Sequence, residues 1–120
     1  KVSASVQAVK DLYPDRLLIS CLELHTFSSL NLDFISEYAD SFKFSDHVCL
    51  YYSPEELTRK NLKIFSKKDL CLLINHKKLI VFDRSDELEK FIMKENWNNK
   101  NLLLMSSGNF NGLNFNKLMR

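Results

Sequence analysis

The sequence predicts an α/β domain with a mainly parallel sheet and helices on both of its faces. Segments with helical spacing of apolar residues alternate with short apolar segments of strand length. One of these short segments, residues 16–23, is apolar almost throughout, as is typical of a strand that is covered on both faces. Such alternation favours parallel strands that are joined by right-handed helical crossovers. The length of 120 residues suits one domain of this kind.

The first half of the chain predicts two helices and two strands. Val2, Val6 and Val9 have helical spacing, and Pro14 disfavours a continuation of this helix. The second helix has an apolar stripe that consists of Leu32, Ile35, Ala39 and Phe42. The predicted bounds are 2–13 and 31–43 for the helices and 16–23 and 47–52 for the strands.

The second half predicts two strands and further helices whose starts are marked by capping residues. Ser53, Pro54 and Glu56 have the spacing of a capping box with proline at the first helical position. Ser66 and Ser85 each precede acidic residues and an apolar helical pattern, which predicts a helix start at both positions. The predicted strands span 78–82 and 102–105, and a last short helix follows residue 112.

The composition excludes several functions. The chain has only 2 glycines, Gly108 and Gly112, so it contains no glycine-rich phosphate-binding loop. A net charge of +2 does not favour nucleic acid as a partner. The lysine pairs at 67–68 and 77–78 have no aromatic residues between them, so we interpret them as solvated faces. We therefore expect no nucleic-acid partner.

Cysteine usage and hydropathy predict a cytoplasmic protein. The 3 cysteines, Cys21, Cys49 and Cys71, all lie in apolar segments, which predicts buried and reduced thiols. No apolar segment approaches the roughly 18 residues that cross a bilayer, and the start of the chain has no signal-peptide pattern. We expect no membrane partner.

Four polar segments follow the predicted strands. In a parallel sheet they all lie at the carboxyl edge, which is where such sheets bind ligands. The segments span 25–31, 53–56, 83–86 and 106–112. Helix capping explains the second and third segments. The first and last segments are more polar than a cap requires and form the candidate site.

Two interpretations of these two segments stay open. His25, Thr26, Ser28 and Ser29 provide one imidazole and three hydroxyl groups, which suit either a binding site or a capped loop. The last segment contains two serines and both glycines. Its backbone amides, just before a helix, are suited to a carboxylate or a phosphate, but a tight structural turn explains it equally well.

Metal binding and nucleophilic catalysis are not favoured. Cys21, His25, His47 and Cys49 lack the C-x-x-C spacing of zinc ligands, so no metal site is predicted. A nucleophile pair of Cys21 and His25 would need both side chains on one face of a strand end. Trp97 is expected to cover a helix end rather than to stack on a ligand. We assign no catalytic residue to this chain.

Two segments carry a resemblance to a known family. The run LLLMSSGNFNGLNFNKL resembles the last strand and loop of the Mur ligase C-terminal domain, and is closest to the M-S-N-G-G-F-G-G form of the murein peptide ligases. The run CLELHTFSSLN stands where those ligases have E-P-R-S-N-T and the alanine-adding ligases have H-R-Y-T-R. The order of elements resembles that of this three-layer, Rossmann-like domain over essentially the whole chain. Lys1-Val2 would fall just after the family's Asp-Tyr/Phe-Ala-His-x-Pro junction.

The resemblance implies substrate-binding residues in both loops. In the loop after the first strand they are His25, Thr26, Ser28 and Ser29. In the terminal loop, near the incoming amine substrate, they are Ser106, Ser107, Gly108, Asn109 and Phe110. The first loop departs from the family because its arginine is missing and His25 or Thr26 stands in the neighbourhood. Imidazole and hydroxyl groups hold a carboxylate less rigidly than a bidentate guanidinium does.

The resemblance also implies an activity in peptidoglycan synthesis or recycling. In Mur ligases ATP phosphorylates the lactyl carboxylate of UDP-N-acetylmuramate, and the amine of an amino acid or peptide attacks the acyl phosphate. The ATP, Mg²⁺ and uridine sites lie mainly in the preceding N-terminal and central domains. Residues 1–120 would then be the single C-terminal domain that closes over ATP and substrate, and it would be inactive alone. A peptide and L-alanine remain alternative amine substrates.

A free-standing, doubly wound ligand-binding module is the alternative from another class. A signalling receiver, for example, needs paired acids after its first strand and an acceptor aspartate on a later one. Here the first strand ends with Glu23 as its single acid, and the third ends at Asp83-Arg84.

Overall fold

Four parallel strands form the sheet that the alternating pattern predicts. In this computed structural model, which describes residues 2–118, the strand order is β3-β2-β1-β4, and every neighbouring pair is parallel. The strands are β1 (Leu17–Leu24), β2 (His47–Tyr52), β3 (Leu79–Phe82) and β4 (Lys100–Met105). The α/β fold class with a parallel sheet is therefore confirmed.

Six α-helices and a 3₁₀ helix connect and flank these strands in the described part of the chain. They are α1 (Val2–Leu12), α2 (Leu32–Ile35), the 3₁₀ helix (Ser36–Phe42), α3 (Pro54–Arg59), α4 (Lys67–Ile74), α5 (Ser85–Lys94) and α6 (Phe115–Leu118). No helix within residues 2–118 has the length and apolar character needed to span a membrane.

The prediction of one continuous helix over residues 31–43 is wrong, because this segment divides into α2 and the 3₁₀ helix. At the junction the Ser36 hydroxyl donates to the carbonyl of Asp33 at 3.3 Å, a side-chain bond that competes with regular helical bonding. The predicted apolar stripe still faces inward, and Ile35 and Phe42 are fully buried.

Apolar side chains of alternate strand positions build a core on each face of the sheet. On one face Leu18 and Leu22 pack with residues from α1, the 3₁₀ helix, α3 and α4. On the other face Ile19 and Cys21 pack with residues from α5 and the terminal segment. All of β1 except Leu17 is buried, which confirms the prediction of a strand covered on both faces.

The three predicted helix starts differ in their capping. Ser66 forms the complete capping box, since its hydroxyl accepts from the Asp69 amide while the Asp69 carboxylate accepts from the Ser66 amide at 2.8 Å. The predicted capping box at Ser53 is wrong. The Ser53 hydroxyl donates to the Glu55 carboxylate at 3.0 Å, and Glu56 binds the side chains of residues 59 and 60.

At the start of α5 the predicted cap is also wrong in detail. Arg84 is the N-cap residue, and Ser85 is already helical. The Arg84 guanidinium donates two hydrogen bonds to Asp86, at 3.1 and 3.0 Å. The acidic first turn, with Asp86 and Glu87, suits the helix dipole as expected.

Two of the three cysteines are buried as predicted, and the third is not. Cys21 and Cys49 face each other in register on β1 and β2, and both are fully buried. Cys71 is exposed on α4, because the inward face of that helix is formed by Leu70 and Ile74. A position next to Leu70 in sequence lies about 100° around the helix and so points away from the core.

The strand order places a topological switch point between β1 and β4. The chain proceeds outward from β1 to β2 and β3, and then returns through α5 to the other side of β1. In open α/β sheets ligands bind at the carboxyl ends of the strands at such a point, where the loops of two neighbouring strands diverge to opposite faces.

Candidate functional site

The two loops that the sequence singles out meet at this switch point. In the β1–β4 pair Leu22 is the partner of Met105, so that the loops after Leu24 and Met105 leave the same edge of the sheet side by side. A cavity of about 380 Å³ lies between them. This volume is within the usual range for small-molecule sites.

Polar residues of both loops line the cavity. Four of its lining residues are among those predicted, namely Thr26, Ser29, Ser106 and Ser107. The others are Val2, Ser5, Leu22, Glu23, Tyr38 and Met105. Elements from both ends of the sequence therefore build one concave site with an apolar wall and a hydroxyl-rich wall.

The hydroxyl groups of Thr26 and Ser29 are largely used by their own turn. The Ser29 hydroxyl accepts from the Thr26 amide at 2.9 Å, and the Thr26 hydroxyl accepts from the Ser29 amide at 3.1 Å. The two hydroxyls also bond to each other at 3.0 Å. Such local serine and threonine bonds hold the loop in one shape. They leave these two residues little capacity to bind a ligand.

Ser107 and Tyr38 keep their hydroxyl groups available. Within residues 2–118 neither side chain has a hydrogen-bond partner, although both line the cavity. Burial, followed by the charge of Glu37, raises the pKa of Tyr38 above its ordinary value. The phenol therefore stays protonated at neutral pH and can donate a hydrogen bond.

Glu23 holds the terminal loop against the end of β1. Its Oε1 atom accepts the hydroxyl of Ser106 and the amide of Phe110, the latter at 2.9 Å. The Ser106 hydroxyl oxygen in turn accepts from the Gly108 amide at 2.7 Å. One buried carboxylate oxygen thus organises three alternate residues of the loop, and Ser107 lies between two of them.

The two glycines of this loop serve different needs. A Cβ atom on Gly108 would lie 3.1 Å from Glu23 Oε1 and 3.3 Å from the His25 ring, which is tighter than ordinary contact. Gly112 has open space around its Cα but a φ of +85°, a backbone conformation that other residues rarely adopt. Gly108 thus permits a close approach to neighbouring side chains and Gly112 a tight turn, and both needs are structural.

His25 lies beside Gly108 and Glu23 rather than among the cavity-lining residues. Its side chain is 38% exposed, and its Nδ1 atom is 3.8 Å from Glu23 Oε2. The neighbouring Phe27 is exposed, with the Lys60 ammonium group 5.1 Å from the centre of its ring. The His25 imidazole therefore lies near the Glu23 carboxylate at the limit of an ion-pair distance.

The remaining predicted residues have mainly structural contacts. Phe110 is buried, with its ring centre 6.3 Å from that of Tyr51. The Asn109 side chain accepts from the Gly112 amide at 3.1 Å and so stabilises the turn. Ser28 is exposed, and its carbonyl accepts from the Asn31 amide.

Sequence reasoning missed Glu23 and Tyr38 as cavity residues. A signal for Glu23 exists, because it is the one charged residue in the apolar run of β1. Tyr38 gives no such signal, since it stands one position from the predicted apolar stripe. The role of Glu23 does not follow from sequence alone, because its partners lie 83 and 87 residues away.

A larger cavity of about 530 Å³ lies at the ends of β2 and β3. Its lining includes Tyr51, Glu55, Asp83, Arg84 and Asp86. The charged groups there have partners, because Asp83 lies 3.4 Å from the Lys67 ammonium group and the Arg84 guanidinium binds Asp86. We therefore place the candidate site at the smaller cavity, where hydroxyl groups remain available.

The described residues contain neither a group of metal ligands nor a glycine-rich loop for nucleotide phosphates. Within residues 2–118 no three His, Cys, Asp or Glu side chains are grouped so that they could hold a metal ion. The sequence has no glycine-rich phosphate loop.

Comparison with known proteins agrees with the observed fold. No protein-family model matches the chain. A domain of a protein assigned as UDP-N-acetylmuramate:L-alanyl-γ-D-glutamyl-meso-diaminopimelate ligase, from Haemophilus ducreyi, superposes with a TM-score of 0.62 at 22% identity. This match covers 98% of the present chain and 78% of the Haemophilus domain. The chain has the fold of a Mur ligase domain.

A second Mur ligase structure supports the same conclusion. The UDP-N-acetylmuramate-alanine ligase of Thermotoga maritima matches with a TM-score of 0.62 at 16% identity. The match covers 91% of the present chain and 21% of the Thermotoga chain, so the present chain spans about a fifth of that enzyme. The resemblance inferred from the two loop sequences is thereby confirmed as a Mur ligase fold.

Proposed function

We propose that this chain is the C-terminal domain of an ATP-dependent ligase that joins an amine substrate to UDP-N-acetylmuramate. The observation that carries the proposal is the cavity between the β1 and β4 loops at the switch point of a Mur ligase fold. The sequence resemblance falls on these same two loops. The ligase would act in the cytoplasm in peptidoglycan synthesis or recycling.

The amine substrate is the peptide L-alanyl-γ-D-glutamyl-meso-diaminopimelate or, alternatively, L-alanine. The activity assigned to the Haemophilus protein favours the peptide, and that of the Thermotoga enzyme favours L-alanine. ATP and Mg²⁺ bind mainly to the N-terminal and central domains of the same polypeptide. This domain supplies contacts to the amine substrate and is inactive without the other domains.

Ser107 and His25 are proposed to contact the carboxylate-bearing part of the peptide. Ser107 lines the cavity, its hydroxyl has no hydrogen-bond partner among residues 2–118, and His25 lies next to the cavity residue Glu23. Neither group can replace the bidentate geometry of an arginine, so recognition depends on several weaker hydrogen bonds.

The proposal is tested with the full-length polypeptide that contains this chain. That polypeptide should carry a G-x-x-x-x-G-K-[ST] motif upstream of residue 1. It should release phosphate from ATP when UDP-N-acetylmuramate is supplied with the tripeptide or with L-alanine, and the preferred amine identifies the substrate. Absence of the motif, or no phosphate release with either amine, contradicts the proposal.

A further inference from the structure

The carboxylate of Glu23 has one oxygen, Oε2, that accepts no hydrogen bond from residues 2–118. The side chain is 3% exposed, and Oε1 accepts from the Ser106 hydroxyl and the Phe110 amide. Among residues 2–118 no group donates a hydrogen bond to Oε2. Every fully buried side-chain nitrogen or oxygen in this part of the chain does have a partner. It follows that Oε2 retains contact with solvent.

A nearly buried carboxylate is costly unless positive charge or hydrogen-bond donors compensate it. The nearest basic atom is Nδ1 of His25, which at 3.8 Å is too far for a hydrogen bond. No lysine or arginine within residues 2–118 forms an ion pair with Glu23. None of the described residues therefore neutralises the negative charge of Oε2, which is available to a bound cation.

The cavity beside Glu23 suits an ammonium group. Ser107 and Tyr38 line the same cavity, and the hydroxyl oxygen of each can accept a hydrogen bond. A primary ammonium group has three N–H donors, which matches one carboxylate and two hydroxyl acceptors. Leu22 and Met105 provide an apolar wall beside these acceptors.

We propose that Glu23 binds the reacting amine of the substrate, as its ammonium form, through Oε2. This inference rests on the proposed function, and it holds for either candidate substrate, because both present the amine of an L-alanyl group. The two oxygens of one carboxylate then have separate tasks. Oε1 positions the terminal loop, while Oε2 holds the amine next to Ser107.

The experiment separates these two tasks in the full-length protein. The ligands are two matched pairs that differ in the amine alone: L-alanine with propionate, and the tripeptide with its propionyl analogue. Binding is measured by calorimetry in the presence of UDP-N-acetylmuramate and a non-hydrolysable ATP analogue. We expect the wild-type protein to prefer the amine form by about tenfold or more, the size of effect expected for a charge-assisted hydrogen bond.

Glu23→Gln is the decisive variant. A glutamine oxygen can still accept from Ser106 and Phe110, so the loop stays in place, but the negative charge is lost. The preference for the amine form should disappear. Glu55→Gln removes an exposed carboxylate at the same edge of the sheet, and it should keep the full preference.

Ser106→Ala distinguishes amine binding from loop positioning and covers the case in which Glu23→Gln fails to fold. It removes one donor to Oε1 and leaves Oε2 unchanged, so the preference for the amine form should persist even if affinity falls for both members of a pair. A Glu23→Gln protein that still prefers the amine, or a Ser106→Ala protein that loses the preference, overturns the inference.

Failure of the proposed function is recognised separately. A wild-type protein that releases no phosphate with either amine, yet shows the Glu23-dependent preference in binding, refutes the ligase proposal and supports the amine site. A wild-type protein that turns over its substrates but binds the amine and deaminated ligands equally refutes the amine site alone. Binding of neither member of either pair also overturns the amine site.

Discussion

The amide of Phe110 donates a hydrogen bond of 2.9 Å to the carboxylate of Glu23, although 87 residues separate the two in sequence. This bond joins the last loop of the described chain to the end of β1, across the switch point of the sheet. The aromatic ring of Phe110 is buried at the same time, with that of Tyr51 nearby. The terminal loop is thus fixed by one polar and one apolar anchor.

The first prediction concerns the two glycines of this loop. In Gly108→Ala the new methyl group would contact Glu23 Oε1 at 3.1 Å, and we expect a loss of about 1 to 3 kcal/mol in the free energy of unfolding from overpacking. In Gly112→Ala the backbone φ of +85° should cost about 1 to 2 kcal/mol without any clash. Urea denaturation measures both losses.

The Phe110 amide resonance distinguishes the two glycine variants. It should shift in Gly108→Ala, because Glu23 has to move, and should stay near its wild-type position in Gly112→Ala. Equal shifts in both variants would show that the contact between Gly108 and Glu23 does not control the loop.

The second prediction separates the adjacent serines. Ser106→Ala removes a hydroxyl that donates to Glu23 and accepts from Gly108, and should lower the free energy of unfolding by about 1.5 to 3 kcal/mol. Ser107→Ala removes a hydroxyl with no partner among residues 2–118, so stability should change by less than about 0.5 kcal/mol. In the proposed full-length ligase Ser107→Ala should raise KM for the amine substrate far more than KM for ATP. A stability loss of similar size in both variants contradicts this division of roles.

Local features of this fold could be predicted from sequence, whereas features that depend on distant pairing could not. The run of β1 and the helix start at Ser66 depend on neighbouring residues and are confirmed. The capping box at Ser53 was predicted from equally local spacing, but Glu55 competes for the serine hydroxyl. Since several acceptors lie within reach of one donor, spacing alone does not decide which bond forms.

The candidate site could be predicted as a pair of loops but not as a cavity. The alternating elements indicate that residues 25–31 and 106–112 lie at one edge of the sheet. That the two loops are neighbours depends on the pairing of β1 with β4, which local sequence does not specify. The role of Glu23 depends on the same pairing, because its donors belong to the loop after β4.

The third prediction is a stability change with pH that depends on His47. Burial lowers the pKa of His47 below its ordinary value of 6.5, and the positive charge of Lys78 lowers it further. The folded protein therefore favours the neutral form of the His47 imidazole more than the unfolded chain does. The stabilisation from the neutral ring is complete above pH 6.5 and is lost as the pH falls through the lower, folded-state pKa.

Urea denaturation between pH 8 and pH 5 checks the His47 prediction. The wild-type free energy of unfolding should fall as the pH drops below about 6.5, and His47→Gln should remove most of this dependence in that window. An equally steep dependence in the variant would assign the titration to another group.

The fourth prediction concerns thiol reactivity. The thiolate is the form that reacts with alkylating agents, so reactivity requires both exposure and ionisation. A hydrogen bond with the Cys49 thiol, together with burial, raises the pKa of Cys21 well above its ordinary value. Cys21 and Cys49 are also closed off from solvent on β1 and β2, whereas Cys71 lies exposed on α4.

Iodoacetamide should therefore modify Cys71 alone in the folded protein and all three cysteines in 6 M guanidinium chloride, as peptide mass spectrometry can show. Cys71→Ser should abolish labelling of the folded protein, and rapid labelling of Cys21 in that variant would mean that β1 opens far more readily than a strand buried on both faces should.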